Sequence, residues 1–241
     1  MDVLKFRLSG ETAFFKKPDV NSECYFTYNS IHKVALLGLF GAIIGYKGYN
    51  NTNKDELYPE FYTKLSKLKI SITPNNKKNI IKKKIQTFNN SIGYASYEQG
   101  GNLIVKEQWL ENPSWDIYII LDCDEANALA EQIKNRRAKF IPYLGKNDHI
   151  ANIDEIEIIK DINRVTDFEV LDSLFIKGNT KLEFDDESEE EVYKYQERLP
   201  IRLNKITGLY EFEIFVYTNM LVEDIDDLYV LRVKNKNIAF F

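Results

Sequence analysis

Apolar and polar positions along the chain change period several times, and each change marks an element. Val3 to Leu8 (VLKFRL) alternates with period two, the pattern of a half-buried strand. Ser30 to Tyr46 then takes helical spacing, with Asn29 or Ser30 placed to cap it. Gly38, Gly41 and Gly45 fall on one face of that helix at spacings of three and four. Glycine inside a helix costs about 1 kcal/mol relative to alanine, so this ridge predicts a backbone packed closely against it, a sheet being the expected neighbour. A membrane-spanning glycine zipper is excluded on length, because Val34 to Tyr46 falls short of the ~20 apolar residues that a span needs.

The next periods continue the series. Asp55 to Leu68 reads as a short helix with Leu57, Phe61, Leu65 and Leu68 on one face, and Lys69 to Thr73 as a strand ended by Pro74. Leu103 to Trp109 and Ile117 to Asp122 read as strands joined by a turn at Glu111 to Ser114. Asp124 to Ala138 is a helix capped by Asp124, with Ala126, Leu129, Ala130 and Ile133 inward and Arg136 and Arg137 at its negative end. A Pro- and Gly-containing loop, Phe140 to Asn147, leads to a strand at Asp154 to Lys160. Together these give a βαββαβ series, the split βαβ of the ferredoxin-like fold, which is also the RRM-like arrangement.

Beyond Arg164 the chain turns strand-rich, at Phe168 to Ile176, Lys181 to Phe184, Ile201 to Ile206, Tyr210 to Tyr217 and Leu228 to Lys234. The expected organisation is therefore α+β: a ferredoxin-like domain over residues 1 to 164, then a β-rich C-terminal region over 165 to 241. The run EFDDESEEE, Glu183 to Glu191, reads as a solvated loop.

Charge changes the picture more than composition does. The net charge of −5 hides a division: residues 1 to 110 hold 16 Lys and Arg against 9 Asp and Glu, a balance of +7, while residues 111 to 241 carry −12. From Phe61 to Tyr97 there are eight lysines and no acid, a segment that reads as a basic hairpin arm over about residues 74 to 102. Such an arm repels itself unless a polyanion lies along it, although a solvated, lysine-rich edge strand has the same composition. Fifteen Tyr and fifteen Phe supply either core or platforms for stacked bases.

Several chemistries lose support here. Only two histidines exist, His32 and His149, neither in a ligand-spaced cluster, so zinc catalysis or a His-dependent triad is not indicated. The glycine series lies inside a helix rather than opening one, so no nucleotide-cofactor fingerprint is present and no cofactor is expected. Cys24 and Cys123 suggest neither a disulfide framework nor a metal site, and with no signal peptide before the first strand a reducing cytoplasm is the simplest setting.

A binding chemistry fits better. Backbone N–H groups at the helix start, beside Asn29, His32 and Lys33, form an expected phosphate site. Lys16 and Lys17 add charge, and Phe14, Phe15, Tyr25 or Tyr28 offer faces for unpaired bases. Lys77, Lys78, Lys82, Lys83 and Lys84 carry the arm, and Tyr143 and Lys146 close the pocket from the later loop. An alternative uses His32, Tyr28 and Lys33 as a proton-moving set for metal-independent RNA cleavage. A weaker third reading has the basic arm hold an acidic protein.

The first fifty residues also carry a resemblance. A strand ending in Gly10, the loop Phe14-Phe15-Lys16-Lys17-Pro18, and Lys33 shortly before Leu36-Leu37-Gly38-Leu39-Phe40-Gly41-Ala42 resemble the CRISPR-associated RAMP proteins of the Cas-five family, closest to the subtype I-B branch. Ile141 to Asn147 and Leu199-Pro200 with the strand at Tyr210 to Tyr217 extend it more loosely. The resemblance implies a non-catalytic subunit of a Cascade-type surveillance complex. It would bind the repeat-derived 5′ handle of crRNA, with the arm as a thumb, and touch the first backbone subunit and the large subunit. A related branch, subtype I-C, processes the repeat RNA, which keeps the nuclease alternative open. The glycine-rich loop near the end of many relatives is absent, the last glycine being Gly208, which argues against a second complete ferredoxin-like domain.

Overall fold

The computed structural model describes residues 1–19, 23–52, 56–184, 190–223 and 228–241. Its elements in chain order are β1 (Val3–Ser9), β2 (Thr12–Ala13), α1 (Lys33–Ile44), α2 (Glu60–Leu65), β3 (Ile70–Pro74), β4 (Lys83–Asn89), β5 (Ile104–Glu111), β6 (Ser114–Ile120), α3 (Asp124–Lys134) and β7 (Asn152–Ile159). A second set follows: β8 (Phe175–Ile176), β9 (Lys181–Glu183), β10 (Lys194–Leu203), β11 (Tyr210–Thr218), β12 (Leu221–Glu223), β13 (Tyr229–Val233) and β14 (Lys236–Phe240). The start of the helix expected from Asp55, and the centre of the acidic run, lie outside the described residues.

The four-stranded sheet has the order β3-β6-β1-β7, every neighbouring pair antiparallel. Alternation sorts its side chains. Leu4, Phe6 and Leu8 of β1 join Trp115, Ile117 and Ile119 of β6 in the core that α1 and α3 cover. Full burial of such side chains is worth roughly 1.5–3 kcal/mol each, which makes this face the main source of stability. The opposite face is polar where Lys5 and Arg7 meet Asp116, at 3.0 and 3.5 Å.

That opposite face is not open. The β13–β14 hairpin lies over it, its Leu231, Val233, Ile238 and Phe240 clustering with Val3, Tyr118 and Ile120. Residues 172 to 174 bind alongside: the Thr73 hydroxyl donates to the Asp172 carbonyl, and Leu174 N–H to the Ile72 carbonyl. Phe241 exchanges backbone hydrogen bonds with Ile70 at the sheet's edge. The C-terminal strands also enter the principal core, through Leu199, Ile201, Leu203 and Phe215. A division at residue 164 therefore does not separate two cores.

Several boundaries differ from the sequence reading. The first helix begins at Lys33, with His32 as its cap, not Asn29 or Ser30. It ends at Gly45, whose φ of 99° forms a left-handed C-cap, so Gly45 terminates the helix and does not extend a ridge. The neighbour of Gly41 is helix α2: a Cβ at Gly41 would lie 2.5 Å from the Cβ of Phe61. The expected sheet contact is thus a helix–helix contact. Cys123, not Asp124, occupies the cap of α3.

The basic arm is a hairpin, as expected, but its strands are β4 and β5, spanning 83 to 111, and β2 pairs with its base. A tight approach fixes the loop at 141–151 beside it. Gly145 has φ of 91°, and a Cβ there would lie 2.0 Å from the Phe14 carbonyl oxygen, so only glycine fits.

Candidate nucleic-acid interface

Three pieces of chain meet beside the hairpin base: the loop 14–29, the connection from β3 to β4, and strand β10. They enclose an open cleft of about 800 Å³ whose lining includes Lys17, Lys78, Lys83, Lys194 and Arg198. Residues far apart in sequence thus place five cations around one concavity.

One largely enclosed carboxylate organises it. Glu197, with its side chain 13% exposed, receives the Lys17 ammonium at 2.9 Å, the Asn29 backbone N–H at 2.9 Å and the Tyr195 hydroxyl at 2.6 Å. The Asn29 side-chain amide then donates to the Asn79 carbonyl at 2.9 Å, tying the loop to the β3–β4 connection. Burial and the bond to Glu197 hold the Tyr195 hydroxyl far above its ordinary range, so it stays a donor. On β4, burial lowers the Lys83 ammonium's pKa; the Glu197 carboxylate opposes that shift and neighbouring Lys17 adds to it. An anion entering the cleft relieves that crowding.

The sequence-predicted residues separate into groups. Lys17, Asn29, Lys78 and Lys83 line the cleft. Lys77 and Lys82 are exposed on the same connection, and Lys16 is exposed with its ammonium 3.7 Å from the Tyr25 ring centroid. Lys84 lies on the other face of the hairpin, as strand alternation requires, 3.8 Å from Glu111.

Tyr143 and Lys146 do not close this cleft. Lys146 sits on that other hairpin face, 3.2 Å from the buried Glu107, 3.4 Å from Asp148 and 5.0 Å from the Phe88 ring centroid. Glu107 also accepts from the Trp109 indole, and Trp109 packs edge-on against His149, whose Nδ1 is 2.7 Å from the Thr12 hydroxyl. This network fastens the loop to the hairpin base.

The expected phosphate site at the helix start is sealed. His32 is buried, and its Nδ1 accepts the Ala35 N–H at 3.2 Å, using the donor that an anion would take. Burial holds its imidazole down to about 3, so it is neutral at physiological pH. Lys33 turns its ammonium to the Phe241 carbonyl at 3.1 Å, and burial lowers it to about 8. Tyr28 is 3% exposed and lies edge-on to His32. Phe14 and Phe15 are buried too, so the aromatics proposed as stacking faces mostly belong to the core. Exposed rings stand instead at the hairpin tip, where Tyr97 is 92% exposed, and Tyr94 is exposed as well.

Sequence reasoning placed β10 too late, at Ile201 to Ile206, and so missed its cleft-lining half. The strand begins at Lys194 and carries Pro200 just before a register irregularity opposite β11. The available signal was the period-two placement of Lys194, Gln196 and Arg198.

Among the described residues, no group of His, Cys, Asp and Glu side chains is placed to hold a metal ion, and no helix is long and apolar enough to cross a membrane. Cys24 and Cys123 form no disulfide.

No family model matches the chain, and no curated protein sequence matches it. Solved structures do share its fold. A chain of a CRISPR RNA-guided surveillance complex is similar with a TM-score of 0.56 at 12% identity, over 92% of this chain and 91% of that one. A CRISPR protein from Archaeoglobus fulgidus is similar with a TM-score of 0.50 at 10% identity, over 99% of both chains.

Proposed function

We propose that this protein is a non-catalytic, RNA-binding subunit of a CRISPR surveillance complex of the Cascade type, a member of the Cas-five RAMP family resembling its subtype I-B branch. The observation that carries this reading is the cleft in which Lys17, Lys78, Lys83, Lys194 and Arg198 converge. Its ligand is the repeat-derived 5′ handle of crRNA, held by its phosphates in the cleft, with the β4–β5 hairpin as the thumb beside it. The partners are the first backbone subunit, which this protein caps, and the large subunit, all in the cytoplasm.

The fold supports it. The order β3-β6-β1-β7 with antiparallel neighbours, reached through α1 and α3, is the order a ferredoxin-like βαββαβ chain produces. RRM-type proteins stack bases on the open face of such a sheet. Here the β13–β14 hairpin covers much of that face, which directs RNA to the cleft and the hairpin. The two structures of similar fold, one a surveillance complex, favour the same assignment.

Binding is favoured over cleavage by the state of His32. A general base must reach the 2′-hydroxyl and exchange protons near neutral pH, and this imidazole is buried and shifted to about 3. Incubating the purified protein with labelled repeat RNA in EDTA tests both halves of the proposal. A shift of intact RNA that weakens steeply with salt is expected. A discrete cut, lost in His32→Ala, overturns it.

A further inference from the structure

We propose that the Glu191 carboxylate occupies an RNA phosphate subsite on Lys78 in the free protein, and that RNA enters the cleft by displacing it. The inference rests on the RNA-binding reading above and assigns one position within that site.

The geometry distinguishes a fixed cation from an exchangeable anion. Lys78 and Asn79 have φ of 55° and 54°, left-handed backbone at two successive non-glycine residues. Such residues persist only where surroundings over-determine them, and they concentrate at functional positions. The surroundings are present: Asn79 N–H donates to the Asn76 carbonyl, and the Asn79 carbonyl accepts from the Asn29 amide. Lys78 lines the cleft on this fixed backbone, with its side chain 18% exposed. Its partner is built differently. Glu191 lies 2.5 Å from the Lys78 ammonium with its side chain 82% exposed, and the Lys77 charge also acts on it.

Glu197, the acid that lines the cleft itself, serves as the control. Glu197 is enclosed by donors from Lys17, Asn29 and Tyr195, so it is scaffold and stays in place. The Glu191 carboxylate, among the described residues, meets the Lys78 ammonium with the Lys77 charge nearby, and is otherwise turned to solvent. A carboxylate oxygen on an ammonium at this distance occupies the position of a non-bridging phosphate oxygen, with the same charge sign and the same acceptor role. Exposed ion pairs are weak, so a phosphodiester that brings further contacts displaces this one at little cost.

The test is a four-way comparison on the full chain: wild type, Glu191→Gln, Lys78→Ala and the double variant. Each is titrated against a fluorescently labelled single-stranded RNA of about ten nucleotides, matching the usual reach of such sites. Glu191→Gln is expected to tighten binding about two- to fivefold at low salt, with the gain shrinking as salt rises. In the Lys78→Ala background the same change is expected to do nothing. Unchanged or weaker binding by Glu191→Gln overturns the inference. So does a gain that persists without Lys78, which marks a general effect of net charge. If no variant binds RNA at all, the RNA-binding reading falls, and this inference with it.

Discussion

The start of α1 and the cleft beside β10 draw on neighbouring residues and treat their polar groups in opposite ways. At the helix start, His32 caps the backbone, Tyr28 packs beside it, and Lys33 reaches a main-chain carbonyl, all within or against the core. A few residues earlier, Lys17 and Asn29 turn outward and are held by Glu197 from a strand more than 160 positions away. Both places are rich in donors. Only the second leaves cations on a surface that a polyanion can reach. A helix N-terminus attracts phosphate when its N–H groups are free, and a side-chain cap beneath buried neighbours removes that property.

The largest expected effect tests whether the helix start is sealed. The ordinary imidazole pKa is 6.5 and that of His32 is about 3, so between these values the unfolded chain binds a proton that the folded chain does not. Its contribution to stability is complete above pH 6.5 and is lost as pH falls toward 3, by ~4 kcal/mol at most. Denaturant unfolding of the wild type and His32→Asn from pH 7 to 3.5 measures it, asparagine being chosen because it also caps helices. The variant is expected to be less stable at pH 7 and to have a much flatter profile. A residual slope is expected from His149, which burial also lowers. Equal slopes would mean that His32 is open to water, and the contrast would collapse.

The next effect belongs to the cleft. Replacing Lys17, Lys78 and Lys83 together by alanine removes three phosphate partners and leaves Glu197 facing the ligand without its lysine. The expected result is about a hundredfold weaker RNA binding at low salt, with the salt slope reduced by about two. Lys33→Ala, in contrast, is expected to lower thermal stability and leave RNA affinity unchanged. If Lys33→Ala alone weakens RNA binding as strongly as the triple variant, phosphate does reach the helix start.

The sequence held more of the fold than of the site, and the reason lies in what each depends on. Period two in VLKFRL and helical spacing in Ala126, Leu129, Ala130 and Ile133 are local, and the structure buries those side chains as read. The lysine-rich arm was also legible, because eight like charges without an acid have few places to go except a surface. What was not legible depends on long-range packing. Nothing local says that His32 would be covered by Phe15 and Tyr210, or that a C-terminal hairpin would close the sheet's second face. The cleft's far wall was missed for a related reason: Pro200 signals a strand boundary locally, but the ladder opposite Phe212 accommodates it beside a bulge.

The smallest effect concerns the glycine on which the helix reading began. At Gly41 an added methyl would sit 2.5 Å from the Cβ of Phe61, an atom fixed to the α2 backbone and unable to swing aside. Overpacking of this kind costs about 1–3 kcal/mol, while alanine returns about 1 kcal/mol in helix propensity, so Gly41→Ala is expected to destabilise by only about 1 kcal/mol. Gly38→Ala makes the same gain in propensity, and its methyl meets only the edge of the Phe61 ring, at 4.0 Å, so it is expected to be neutral or slightly stabilising. Thermal melts of the two variants read the difference directly. Equal melting temperatures would show that α2 can shift away from α1. RNA affinity is expected to move in neither variant, because the glycine face is turned to α2 and the cleft lies elsewhere. A change in binding at Gly41 would couple the sealed helix to the cleft and join the two regions that the structure keeps apart.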